Sequence, residues 1–364
     1  MSTALSHPVN FKVYPYQLAF KFDAGTSRGV LKTKDTWLIK LESGGKVAWG
    51  EAGPLKGLSI DDVPTFQEEI EKKLQSWESL QEVPDRLDAI SQWAKEQVPD
   101  HLPAFRFAME TAFRDLFQGG IRKIFETPFF SGAEAIPING LVWMGEEDFM
   151  AGQMEEKLKA GFSCIKMKIG AIDYDREMNL LHRLRKQFTA NQLVLRVDAN
   201  GAFAEDEAAE VLRDLKRLEI HSIEQPVKAG QWEAMARLCA QEITPIALDE
   251  ELIGVMTASD KELLMKTILP QYIILKPTLV GGIQDSLEWI SLAGKYNQGW
   301  WMTSALESNI GLNAITQLTS FLQVKMPQGL GTGQLYHNNF SSPLTVREGS
   351  IHYKNEVPWE IGLE

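Results

Sequence analysis

Five charged residues recur at 25- to 30-residue intervals between positions 168 and 276 of this 364-residue chain, each at the end of an apolar run. Lys168 closes Ile165-Lys166-Met167-Lys168, Asp198 closes Leu193-Val194-Leu195-Arg196-Val197, and Glu224 closes His221-Ser222-Ile223. Asp249 follows Pro245-Ile246-Ala247-Leu248, and Lys276 follows Tyr272-Ile273-Ile274-Leu275. Each interval is one strand–helix unit long. In a barrel of such units the strand ends lie on the C-terminal face, where catalytic groups gather. Three carboxylates meeting there would repel one another unless a cation lay between them. An all-oxygen set with no Cys or His nearby favours Mg²⁺ over Zn²⁺.

The lysines flank that position from the second and sixth strands. A partly desolvated lysine beside a cation has a lowered pKa and can serve as a general base. A metal stabilises the enolate left when a proton departs from carbon next to a carboxylate. The chemistry expected is α-proton abstraction from a small carboxylate substrate. Lys166 and Lys168 are two apart, so in a strand they face the same side, between apolar Ile165, Met167 and Ile169.

Each element also has a plainer reading. An Asp after a strand caps a helix, and a Lys-x-Lys pair can be the exposed face of an edge strand. The repetition, bracketed by lysines, favours the site. Glu250 and Glu251 read as loop or helix-start charges, Asn200 either caps a helix or orients a ligand, and Trp300 and Trp301 are candidate substrate contacts.

The elements that must position these residues follow from periodicity. Residues 11–22, 37–42 and 47–50 read as strands of an antiparallel meander, with 24–34 and 54–61 as mobile loops. Residues 63–77 and 103–119 have helical spacing. Strands followed by helices make an α+β domain over 1–134. From 136 strand and helix alternate, ending in a short strand at 329–333, as in a parallel (β/α)7β barrel over 135–334. No G-x-G-x-x-G follows an early strand, which removes support for a dinucleotide fold. A polar tail, 335–364, carries strand-like pieces at 344–346 and 351–353 and is expected to complete the first domain.

Composition narrows the class. The formal net charge is −12, which argues against nucleic acid and against anionic membranes. Two cysteines, Cys164 and Cys239, without a C-x-x-C, make neither a disulfide framework nor a zinc site and suit a reducing cytoplasm. The first residues lack a secretory pattern, and no apolar run reaches the roughly 18 residues of a membrane span.

The succession K-x-K, D-A-N, E-Q-P, L-D-E, L-K-P resembles the enolase superfamily in its muconate-lactonizing subgroup, over nearly the whole chain. That resemblance implies a TIM-like (β/α)7β barrel with an N-terminal α+β capping domain completed by the C-terminal tail. It implies Mg²⁺, with Mn²⁺ as a substitute, on Asp198, Glu224 and Asp249. It makes Lys168 the base and puts Lys276 on the other side of the intermediate. Ile274–Gly282 and Thr303–Gly311, with Gln328–Thr332, are similar to the o-succinylbenzoate synthase family, which implies syn dehydration of a cyclohexadienyl hydroxy-carboxylate. In that case Ser304, Gly329 and Gly331 hold the substrate's succinyl carboxylate, Lys166 tunes Lys168 by like-charge repulsion, and loops with Arg28 and Leu55 close over the site. The alternative within the subgroup is an N-acylamino acid racemase or dipeptide epimerase using Lys168 and Lys276 as an opposed acid–base pair.

Overall fold

The computed structural model describes residues 7–26, 29–170 and 173–363. A meander opens the chain: β1 (Asn10–Thr26), β2 (Gly29–Ser43) and β3 (Lys46–Ala52), paired antiparallel in that order. The hairpin between β1 and β2 is longer than its polar sequence predicts. Ala24, Gly25 and Thr26 pair with Leu31, Val30 and Gly29, so most of the expected loop over 24–34 is ladder. Backbone pairing across a long hairpin outweighs the poor strand propensity of its glycines. Arg28 lies outside the described residues. Helices α1 (Phe66–Leu80), α2 (Ile90–Gln97) and α3 (Pro103–Phe117) cover one face of the meander. Ile39, Leu41, Ala48, Phe66, Trp77 and Phe105 form the core of this layer.

Strand β4 (Ile136–Pro137) precedes β5 (Gly140–Val142), α4 (Glu147–Lys159), β6 (Cys164–Lys168) and α5 (Tyr174–Gln187). Then follow β7 (Val194–Asp198), α6 (Glu205–Arg217), β8 (Ser222–Glu224), α7 (Trp232–Cys239), β9 (Ile246–Leu248) and α8 (Ala258–Ile268). The last units are β10 (Tyr272–Leu275), the short α9 (Pro277–Val280), α10 (Gly282–Lys295), β11 (Gly299–Met302) and α11 (Asn309–Phe321). Local chemistry sets many of the boundaries. Asp173 and Thr257 accept from Arg176 N and Asp260 N at the starts of α5 and α8. Three acids open α6 and two basic residues close it, as the helix dipole favours.

Strands β5 to β11 form one parallel sheet in sequence order, buried on both faces. Residues 329–333 do not form the expected eighth strand. Closure is made by two single parallel bridges, Ile138 with Gln328 and Thr303 with Gly329, after which the chain turns into a 3-10 helix at 332–334. Gly329 is required there, because a Cβ would lie 2.3 Å from Thr303 Oγ1.

The tail divides its contacts. Strands β12 (Leu344–Arg347) and β13 (Ser350–Tyr353) pair with each other and, through β13, with β4 at the entry to the barrel, not with the meander. The segments on either side reach the first domain. His337 N donates to Ala19 O at 2.9 Å, and Phe340 and Trp359 pack with Leu38 and Trp49.

Candidate active site

Parallel register puts the charged strand ends in one row. Lys168 is level with Asp198, and Asp198 with Glu224, across β6, β7 and β8. Asp249 and Lys276 follow immediately after β9 and β10. Strands β6 and β10 are the second and sixth around the wall, so Lys168 and Lys276 face each other across the barrel mouth. Both line a cavity of about 510 Å³ together with Lys166, Asp198 and Asn200.

Asp198, Glu224 and Asp249 are 1–2 % exposed. Lys166 Nζ lies 2.9 Å from Asp198 Oδ2 and also pairs with Glu224. Lys168 Nζ lies 2.8 Å from Asp198 Oδ2 and donates to Asn200 Oδ1 at 2.6 Å. Lys276 pairs with Asp249. Burial alone would lift the Asp198 carboxyl, but the ammonium groups of Lys166 and Lys168 outweigh it and hold it well below the usual range. Burial, then the charge of Asp198, pushes Glu224 well above that range. Burial opposes charge on Lys166 and Lys276. The neighbouring carboxylates prevail and raise both.

The donor set suits a hard divalent cation. It is all oxygen, it comes from three carboxylates, and Glu224 Oε1 is buried without a hydrogen-bond partner. As they stand, each carboxylate turns to a lysine, and among the described residues no three His, Cys, Asp or Glu side chains converge as ligands. Asp249 precedes a 3-10 turn but its side chain does not cap it, so the N-cap reading fails there.

Asn200 orients a partner rather than capping a helix. It adopts φ +45°, its amide N donates to Asp198 Oδ1 at 3.1 Å, and its Nδ2 donates to Glu250 Oε1 at 2.9 Å. Glu250 and Glu251 begin the turn after β9, as expected, and Glu251 accepts from Gly230 N and Gln225 Nε2.

The other expected contacts are placed as follows. Ser304 lines the cavity, but its single hydroxyl hydrogen goes to Glu307 Oε2, and it accepts from Thr332 Oγ1 at 2.7 Å and Leu306 N at 3.0 Å. It therefore has no proton left to give a carboxylate. Gly329 donates its amide to Met302 O at 2.9 Å in the closing bridge and is likewise committed. Gly331 lines the cavity. Leu55 is buried against Leu279 and Ala305 and forms part of the cavity wall. Trp301 faces the barrel floor, its ring 4.1 Å from the Arg196 guanidinium, below the cavity.

Sequence reasoning missed Gln225. Its Oε1 accepts from Asp249 N at 3.2 Å and Glu251 N at 3.3 Å, joining the ends of β8 and β9. Its only signal was its place after Glu224. It also missed the apolar wall of Phe22, Leu31, Leu141 and Trp143, which comes from elements distant in sequence.

A seven-stranded parallel barrel with this charged row, beneath a meander-and-helix domain, defines a class. The model "Enolase C-terminal domain-like" matches residues 150–363, and the chain belongs to the enolase superfamily, whose members use a divalent metal, typically Mg²⁺. The model "MenC, N-terminal domain" matches residues 9–114. The o-succinylbenzoate synthase of Desulfotalea psychrophila is 44% identical over 355 residues, 92% of this chain and 96% of that one. The crystal structure of MenC from Desulfotalea psychrophila LSv54 superposes with a TM-score of 0.83 at 39% identity, covering 95% of this chain and 99% of that one. An L-Ala-D/L-amino acid epimerase of Maribacter sp. is 28% identical over 83% of this chain and 85% of its own. Within the superfamily, the chain belongs with the o-succinylbenzoate synthases.

Proposed function

We propose that this chain catalyses the o-succinylbenzoate synthase reaction, the syn dehydration of 2-succinyl-6-hydroxy-2,4-cyclohexadiene-1-carboxylate in menaquinone biosynthesis. The observation that carries the proposal is Lys168 and Lys276 on opposite walls of one cavity with three buried carboxylates between them, in a chain 44% identical to a named synthase.

Lys168 takes the proton from the ring carbon bearing the carboxylate. Asp198 and Asn200 fix its Nζ, leaving it one direction of approach. The protonated Lys168 then delivers that proton to the departing hydroxide on the same face. Water leaves and the ring becomes aromatic. Lys276, across the barrel, stabilises the negative charge of the intermediate without transferring a proton. Asp198, Glu224 and Asp249 would hold Mg²⁺, with Mn²⁺ as a substitute, and the bound ion supplies Lewis-acid stabilisation of charge gathering on the substrate carboxylate. Lys166, paired with both Asp198 and Glu224, balances their charge and fixes their orientation.

Leu55 and its turn exclude water from the mouth. The apolar wall suits the ring, and Gly331 stays in the role of a substrate contact. A division into 1–134, 135–334 and 335–364 follows from this reading, with the tail shared between the two larger parts. Among the described residues no helix is long and apolar enough to cross a membrane. Two free buried cysteines support a cytoplasmic enzyme acting on a small molecule.

The test is an assay with that substrate and Mg²⁺, following aromatisation by ultraviolet absorbance. Absence of turnover with purified, folded, metal-loaded protein overturns the proposal.

A further inference from the structure

Helix α11 starts without a complete cap of its own. Ser308 is its N-cap, accepting from Ile310 N at 3.2 Å. In a capping box, a Glu or Gln three residues on reaches back to the N-cap amide. Here that position is Gly311. The missing carboxylate arrives from the other domain. Glu51 on β3, fully buried, accepts from Ser308 N at 2.8 Å, Ser308 Oγ at 2.5 Å, Gly311 N at 2.8 Å and Thr36 Oγ1 at 3.0 Å. A Cβ at position 311 would lie 2.8 Å from Glu307 Cβ and Cγ and 2.9 Å from Glu51 Oε2, so the glycine makes room both for the Glu307 stem and for the foreign carboxylate.

The device occurs twice. Glu110 on α3 accepts from Ile283 N and Gln284 N in the first turn of α10, and a Cβ at Gly282 would lie 2.1 Å from its Oε2. The first domain thus caps the helices that follow β10 and β11, the two strands on the Lys276 side of the cavity.

From Glu51 the restraint runs both ways. Toward the barrel, Ser308 is next to Glu307, whose carboxylate accepts from Ser304 Oγ, from Ala305 N at 2.8 Å and from Thr278 Oγ1 at 2.5 Å. Ser304, Ala305 and Leu306 are cavity wall, and Thr278 is two residues from Lys276. Toward the mouth, Glu51 is at the root of the turn that carries Leu55 onto Ala305 and Leu279. One buried side chain holds both the lid root and the wall it closes on.

We propose that Glu51 is a positioning residue for the reaction, a capping carboxylate supplied between domains that sets the cavity wall at Ser304–Leu306 against the lid at Leu55. The proposal rests on the reading of this cavity as the dehydration site. It goes beyond helix stability, because a cap from within α11 would stabilise the helix without tying it to the lid.

The experiment compares wild type with Glu51→Ala, Glu51→Gln and Gly311→Ala as full-length, Mg²⁺-loaded enzymes. Gly311→Ala crowds Glu51 Oε2 from the barrel side, together with the Glu307 stem, and serves as the second variant where Glu51→Ala does not fold. Steady-state dehydration is read with amide hydrogen exchange of segments 303–311 and 164–168. The expected result for Glu51→Ala and Gly311→Ala is a KM raised about tenfold, with kcat and the Mg²⁺ activation constant within about threefold of wild type. Glu51→Gln keeps the volume and one acceptor oxygen but turns an NH2 toward the other pair of donors, so it falls between wild type and Glu51→Ala. Exchange quickens at 303–311 and not at 164–168. A kcat that falls with the folded fraction at unchanged KM overturns the proposal, as does unchanged exchange at 303–311. Wild type inactive as a dehydratase sinks the functional reading instead, and the exchange comparison still decides whether Glu51 holds the wall.

Discussion

Lys166 and Lys168 reach the same oxygen, Oδ2 of Asp198, at 2.9 and 2.8 Å. They are nevertheless placed for different work. Lys166 is held between two carboxylates, Asp198 and Glu224, whereas Lys168 has one carboxylate and the amide oxygen of Asn200. The first is locked into the ligand row. The second stands at its edge, facing the cavity.

Lys168→Ala should therefore lower kcat for dehydration by at least about a thousandfold, within the range that a positioned general base supplies. The fold, followed by circular dichroism, and Mg²⁺ binding, followed by calorimetry, should be retained. Turnover within tenfold of wild type would remove Lys168 from its role.

Asp249→Asn takes one charge from the ligand row and leaves Lys276 without its carboxylate partner. The Mg²⁺ activation constant should rise at least about tenfold and activity fall with it. Full wild-type activity in excess EDTA would refute the metal role altogether.

Opposed lysines also suit a racemase or epimerase, in which both must transfer protons. In deuterated water, the synthase reading expects racemisation of an N-acyl amino acid to be slow relative to dehydration. Deuterium incorporation into recovered substrate or into a dipeptide at a rate matching dehydration would favour the epimerase reading.

On the barrel floor, burial and then the Arg196 charge lower the His221 pKa to about 4. The unfolded chain takes up this proton near pH 6.5, so between those values the unfolded state binds more protons and stability falls as pH falls. The contribution is present above about pH 6.5 and shrinks by roughly 2 kcal/mol by pH 5. In denaturant titrations His221→Gln should show a shallower loss of stability than wild type between pH 7.5 and 5. Equal slopes would contradict the assignment.

The strand-end chemistry was legible along the chain because βα repetition is periodic and each charge interrupts an apolar run. Asp198, Glu224, Asp249 and the lysines needed no tertiary information beyond the barrel itself. Ser304 and Gly329 were legible as positions but not as groups, since only the folded structure shows their protons committed to Glu307 and Met302. The hairpin over 24–34 was misread because ladder pairing, a non-local term, overrode the local signal of its glycines.

The sequence by itself determined which strands carry charge, how many residues separate them, and therefore that five ionisable groups share one end of a barrel. Tertiary structure alone decided which carboxylate each lysine takes, how Asn200 and Gln225 tie neighbouring strand ends, and that Glu51 caps a helix whose own third residue is glycine. The reason is physical. Periodicity is a property of contiguous residues, whereas a hydrogen bond between Glu51 and Gly311 spans 260 residues and leaves no local trace except a glycine in the first turn of α11.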